Sequence, residues 1–229
     1  MVLEKPKWIS PVSHLTNIES RFIIERRFVF FRIFQRRKIM AQVLKEEVRN
    51  RILDAAENVF FEKDYRSAKL SEIAKLANVP VALIYTYFDN KENLFDATVG
   101  SVYSNFCSAL QEEEALEKGS PLERFDKVGQ SYIRELLKDR KKLIVLMDRS
   151  SGTRHEKAKF DFILQMQKHI EIGLKRQTKK KYDPMLAHIL ASNFTESLLE
   201  IARHYQSREW AENMLKLVAQ CYYNGVESL

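Results

Sequence analysis

The sequence is short of the residues that turn a chain. Six glycines and five prolines in 229 residues are too few for a fold of many short strands, each needing a turn, and their scarcity favours long helices. The two cysteines, Cys107 and Cys221, lie far apart without metal-ligand spacing; the simplest reading is two small buried thiols in a reducing compartment, with a redox role left open. No run of 18 apolar residues occurs, so no membrane span is expected. Met1 to Ser10 has no apolar signal-peptide core, and the expected location is cytoplasmic. Phosphate loop, dinucleotide fingerprint, nucleophile elbow and zinc-protease motif are missing. The histidines, His14, His155, His169, His188 and His204, show no ligand spacing, and the carboxylate nearest to His169 in sequence, Glu171, falls on another helix face. No metal, cofactor or enzymatic activity is expected.

What is present is a composition that can bury a core: 45% of residues are hydrophobic and 11% aromatic, too much for a disordered chain. The net charge of +7 suggests an acidic partner until it is located. Residues 1–39 hold nine Lys/Arg and three Asp/Glu, a net +6, leaving 29 against 28 in residues 40–229. Local geometry, not bulk charge, must therefore carry any nucleic-acid argument.

Residues 1–39 read differently from the rest. Between Arg21 and Lys38, Phe22, Phe28, Phe30, Phe31 and Phe34 mix with five arginines, and no helical or strand period separates them. A basic-aromatic arm is one reading. The favoured expectation is an untranslated or disordered leader, because Met40 opens directly into the first good helical pattern and Arg36-Arg37-Lys38 can be encoded by a purine-rich ribosome-binding sequence. The expected domains are thus 1–39, 40–90 and 91–229.

From Lys45 the pattern is helical, with Ile52, Ala55, Ala56, Val59 and Phe60 forming one apolar stripe. Lys63-Asp64-Tyr65-Arg66-Ser67 breaks it. A short helix follows, Ser71 to Ala77, with Leu70, Ile73, Ala74 and Ala77 inward; Ala74 is small enough to allow a steep, close crossing. Asn78 suits a sharp left-handed turn, Val79 plugs it, and Pro80 can open a new helix but not continue one. The second short helix, Val81 to Tyr87, should bury Ile84 and Phe88 and present Val81, Ala82, Tyr85 and Thr86. That spacing is a helix-turn-helix.

The block Leu70-Ser71-Glu72-Ile73-Ala74-Lys75-Leu76-Ala77-Asn78-Val79, followed by Leu83-Ile84-Tyr85-Thr86-Tyr87-Phe88-Asp89-Asn90-Lys91-Glu92-Asn93-Leu94, resembles the DNA-binding signature of the TetR family. The resemblance covers about 50 residues, 45–95. It implies an all-α protein of about nine helices: an N-terminal three-helix DNA-binding domain and a C-terminal helical domain for ligand binding and dimerisation. It also implies a cytoplasmic homodimer that binds double-stranded operator DNA as a repressor. Val81, Ala82, Leu83 and Tyr85 would lie nearest the base edges, Ser71, Pro80 and Thr86 beside them, and Lys69, Tyr87 and Lys91 on phosphates. Asn78 replaces the usual glycine, Lys69 a common threonine and Ala82 a frequent glycine. The reading face has no Arg, Asn or Gln for bidentate base contacts, so thymine methyls, tyrosines and DNA shape would carry the readout.

Beyond Asn90 six helices are expected. Capping boxes at Ser120–Glu123 and Thr153–Glu156 and caps at Asp183 and Ser207 mark four of the starts. The last two helices carry stripes on more than one side, so Leu198, Ile201, Trp210, Met214, Leu217 and Cys221 are assigned to a dimer interface. A pocket for a small apolar or amphipathic effector is expected between the helices, lined by Phe125, Tyr132, Met147, Phe162, Met166 and Phe194, with His169 and Asn193 as polar anchors. The alternative is a protein-interaction factor of the same fold without a small-molecule ligand.

Overall fold

Scarce turn residues become long helices in the computed structural model, which describes residues 17–116, 118–177 and 179–229. The elements are α1 (Asn17–Ser67), α2 (Leu70–Ala77), α3 (Val81–Tyr87), α4 (Lys91–Glu114), α5 (Pro121–Arg124), α6 (Gln130–Lys138), α7 (Arg140–Asp148), α8 (Ala158–Gln177), α9 (Pro184–Arg203) and α10 (Arg208–Glu227). A π-helical stretch, Phe125–Gly129, joins α5 to α6 without a break. Among the described residues there is no strand, and no helix is long and apolar enough to cross a membrane.

Two units divide at Arg49. In the first, α1 begins at Asn17. Residues 17–39, expected within an untranslated or disordered leader, are therefore helical; the whole span of α1 contains no glycine or proline to stop it. Residues 1–16 of that expected leader lie outside the described residues.

In the second unit, Ile52, Ala55, Ala56 and Phe60 of α1, Ile73, Ala74 and Ala77 of α2 and Ile84 of α3 are all buried. Val59 of the same stripe is only half-buried. The sequence break at Lys63–Ser67 is a kink: Asp64 has φ 71°, a strained value for a residue with a Cβ. The kink is held on both sides. The Ser67 N–H donates to Asp64 Oδ1 at 2.8 Å, and the Tyr65 N–H donates to the Arg149 carbonyl at 2.9 Å. The Ser67 bond also draws the Asp64 carboxyl below its ordinary pKa. Phe60, Tyr65 and Phe95 pack edge to face, with Phe60–Phe95 centroids 5.1 Å apart.

The long α4 serves both halves. Its first turns bury Leu94, Phe95 and Thr98, with Phe95 against Phe60 and Tyr65 of α1; its remainder buries Val102, Phe106 and Ala109 on a helix that packs against α6–α8. Ser120 and Glu123 form the expected capping box, with bonds of 2.9 and 3.3 Å. Asp183 and Ser207 cap α9 and α10. The box expected at Thr153 does not form. α8 starts at Ala158, and Thr153 Oγ1 instead donates to the Ser150 carbonyl and accepts from the His155 N–H. The competing force is α4: Arg154 donates its backbone N–H to Glu92 at 3.1 Å and pairs through its guanidinium with Asp96. His155 reaches the same Asp96 at 2.7 Å. Gly152, at φ 86°, completes this turn; a Cβ there would stand 2.8 Å from Arg66 Nε, so only glycine lets the turn sit on the α1 kink.

Candidate nucleic-acid interface

Asn78 ends α2 in the left-handed conformation, φ 54° and ψ 51°, with its N–H on the Ala74 and Lys75 carbonyls. The Val79 N–H returns to the Ala74 carbonyl at 3.0 Å. These bonds satisfy the orphan carbonyls of a helix end. Pro80 then stands extended, at ψ 145°, and the Leu83 N–H donates to its carbonyl at 2.9 Å. The chain thus leaves α2 and enters α3 in three residues, with no freedom to reorient α3.

The faces of α3 fall as its spacing predicts. Ile84 and Phe88 are buried, at 1% and 6% exposure, while Val81 and Tyr85 are open at 37% and 54%. Ala82 and Thr86 share that open face and Leu83 is half-buried; Thr86 Oγ1 turns back to the Ala82 carbonyl at 3.4 Å. Pro80, Ser71 and Lys69 are exposed around it. Glu72 anchors the start of α2, accepting from the Lys69 N–H at 3.3 Å and from Lys63 Nζ at 2.6 Å.

Tyr87 and Lys91 are half-buried at the α3–α4 junction. Asn90, not Asp89, caps α4, accepting from the Asn93 N–H at 2.8 Å, so Lys91 occupies the first helical position. Its ammonium lies 4.5 Å from the centre of the Tyr65 ring and 3.5 Å from the Arg66 carbonyl. Burial lowers its pKa, against the opposing charge of Asp64. This lysine is held by its own protein rather than free in solvent.

The structure separates the expected pocket residues. Phe125, Tyr132, Met166, His169 and Phe194 line one cavity of about 30 Å³. Met147 and Phe162 border a second, smaller one of about 10 Å³ with Leu198. Asn193 faces solvent; it is no polar anchor, because one residue along α9 turns it about 100° away from buried Phe194. Glu113 and Glu114 of α4 are the true partners of His169, at 3.3 and 3.0 Å. Burial opposes the imidazolium, yet the two carboxylates outweigh it and raise the His169 pKa. Sequence reasoning missed Glu113, Tyr222 and Tyr223 because these neighbours lie many residues away in sequence.

The dimer assignment also divides. Leu198 and Ile201 are buried within the chain, each at 4% exposure, and belong to its core. Trp210 and Met214 are half-buried, whereas Leu217 and Cys221 are exposed. Met185 and Ile189 of α9, open at 57% and 48%, add apolar surface not assigned from sequence. Cys107 is half-buried, so neither cysteine is a fully buried thiol.

Comparison with known proteins bears on this geometry. The sequence profile described as "Bacterial regulatory proteins, tetR family" matches residues 52–98, the trihelical unit and the first turns of α4. The HTH-type transcriptional regulator TtgR of Pseudomonas putida is 30% identical over 94 residues, 41% of this chain and 45% of that protein. IcaR of Staphylococcus epidermidis, the HTH-type negative transcriptional regulator of the biofilm operon icaADBC, is 32% identical over 63 residues, 28% of this chain and 34% of that one. The chain spans less than half the length of the curated relatives it matches. A TetR-like transcriptional regulator from Rhodococcus sp. RHA1 shares the fold, with a TM-score of 0.57 over 80% of this chain and 97% of that one at 18% identity. The left-handed Asn78 turn, the two-faced α3 and the matched signature agree: residues 52–98 form a domain of the bacterial regulatory tetR type, in a chain that shares the fold of a TetR-like regulator.

Proposed function

We propose that this protein is a transcriptional repressor that binds operator DNA as a homodimer through α3 and leaves it when a small apolar or amphipathic effector enters the helical half. The observation that carries the reading is the open face of α3, held rigidly by buried Ile84 and Phe88. Val81, Ala82, Leu83 and Tyr85 would meet base edges with Ser71, Pro80 and Thr86 beside them. Lys69, Tyr87 and Lys91 would hold phosphates. The negative regulation named for IcaR supports repression as the direction. Exposed Met185, Ile189, Leu217 and Cys221 on α9 and α10 support those helices as the surface between two copies. Effector binding would reach α3 through α4 and the clamp that Arg154 and His155 make on Asp96.

Selection of binding sites from random duplexes with the purified protein tests this. The expected product is a twofold-symmetric sequence whose half-sites lie about one DNA turn apart. A pool that stays random after repeated rounds would sink the DNA-binding reading and favour the protein-interaction alternative.

A further inference from the structure

Glu113 is an acidic side chain only 4% exposed, and it lines two adjoining cavities of about 30 Å³ each. The cavities share Met166, His169, Phe194 and Tyr223 as well as Glu113. The wall beside Glu113 is the π-helical stretch, an irregularity that recurs at functional sites. Its last residue, Gly129, leaves room where a Cβ would stand 2.6 Å from the Phe125 ring and 3.1 Å from Glu113 Oε2. Four rings gather there. Phe194–Tyr222, Tyr222–Tyr223 and Phe125–Tyr223 have centroids 4.9, 5.0 and 5.1 Å apart.

The polar groups in this apolar setting are unevenly paired. One imidazole, His169, faces two carboxylates, Glu113 and Glu114, and both its ring nitrogens are engaged by them. Arg124, which lines the second cavity, directs one guanidinium nitrogen to the Gly119 carbonyl at 2.7 Å. The Tyr222 hydroxyl is buried with no hydrogen-bond partner among the described residues, a costly state for a polar group. Burial first and the Glu113 charge second push that phenol far above its ordinary pKa. Glu113 is the charged group that acts on this hydroxyl, and the unpartnered oxygen can accept a hydrogen bond.

We propose that the paired cavities around Glu113 form a binding site for an organic cation with an apolar body. The charge would rest between the Glu113 carboxylate and the Tyr222 hydroxyl, and the body among the Phe125, Phe194, Tyr222 and Tyr223 rings, whose faces attract cations. The inference rests on the reading of this half as an effector site. At about 30 Å³ each cavity is far below the roughly 300–1,000 Å³ of a filled ligand pocket. The ligand must therefore open the space, and Met166, flexible and shared by both cavities, is the side chain that yields most easily.

The test uses the full-length protein and three ligands with the same twelve-carbon chain, all kept below micelle formation: dodecylammonium, whose N–H groups can donate to Tyr222, dodecanoate and dodecanol. Titration calorimetry is expected to rank the cation about tenfold or more above the other two. Glu113→Gln should erase that preference while leaving dodecanol affinity unchanged. Tyr222→Phe removes a hydroxyl that bonds to nothing, so it should fold with an unchanged or higher Tm and still weaken the cation severalfold. If Glu113→Gln fails to fold, Tyr222→Phe and the ranking by the wild-type protein decide. A preference for dodecanoate, which would point to Arg124, or no cation binding at all, overturns the inference. Gel shifts on a selected DNA site, run in parallel, separate the two readings: intact DNA binding without cation binding sinks only this inference, whereas no DNA binding sinks the regulator reading itself.

Discussion

The trihelical unit and the helical half behind it obey the same packing rules but differ in what fixes their side chains. Within residues 52–98, α2 and α3 are short and each has one apolar face, so a face turned inward dictates the face turned out. Ile84 and Phe88 are buried, and burying that i,i+4 pair turns Val81, Ala82, Tyr85 and Thr86 outward. From α5 onward the helices carry apolar residues on several sides, and each has several neighbours. There the outcome depends on which neighbour takes which face, a choice made over long sequence separations. Local spacing decides a small unit, whereas partner choice decides a large one.

The sharpest way to break that comparison is Phe95, which belongs to both halves. It is fully buried beside Phe60, Tyr65 and His155. Phe95→Ala is expected to cost about 3–5 kcal/mol. Because α4 is shared, urea denaturation followed by circular dichroism should show one transition, shifted as a whole. Two separated transitions would show that the halves fold independently.

A smaller effect, expected within the reading face, separates positioning from specificity. Tyr87→Phe and Lys91→Ala should weaken binding to every DNA sequence alike, and Lys91→Ala should lower the salt slope by about one phosphate contact. Val81→Ala should instead cost about 1 kcal/mol on the selected site only, through loss of methyl contact. Fluorescence anisotropy against selected and scrambled duplexes at several salt concentrations distinguishes these. Unchanged affinity after both Tyr87→Phe and Lys91→Ala would remove these residues from the interface.

How much was legible in the sequence follows the same division. The Asn78 turn and the two faces of α3 are set by residues within four positions of one another, and the kink at Lys63–Ser67 has a local signal although the Arg149 carbonyl also holds it. In the helical half the helix order was legible, but the faces were not. Leu198 and Ile201 fit an interface stripe as well as a core stripe, and only the packing of α9 within its own chain puts them in the core. The Thr153 box was a sound local signal that lost to Arg154 pairing with Asp96, 58 residues away. His169 had no acidic neighbour on its own face, yet it meets two from α4, one of them 55 residues distant.

That distant pairing gives a pH prediction, smaller again. Because Glu113 and Glu114 raise the pKa of His169 against the opposing effect of burial, the folded state binds its proton more tightly than the unfolded chain does. The stabilisation is fully present below the unfolded value near 6.5 and is lost as pH rises through the higher folded value. Urea denaturation of the wild-type protein and His169→Gln at about pH 6 and pH 8.5 should show the wild type losing its advantage at the higher pH. A difference between the two that does not vary with pH would mean that His169 is not held charged by α4.

The smallest effect is expected at Asn78, where the short unit can be sharpened rather than broken. At φ 54° and ψ 51° a Cβ is tolerated at some cost, less for Asn than for most residues. Asn78→Ala should destabilise by about 1 kcal/mol, because alanine keeps the steric penalty without asparagine's local hydrogen bonding. In Asn78→Gly relief of that penalty is offset by the greater entropy of glycine in the unfolded chain, and the net change should stay within about 0.5 kcal/mol. DNA affinity should follow neither number, since the bonds from the Asn78 and Val79 N–H groups to Ala74 and Lys75 are made by the backbone. Should Asn78→Gly hold its stability and yet lose DNA affinity, the asparagine side chain itself would be part of the interface, and the turn would be doing more than aiming α3.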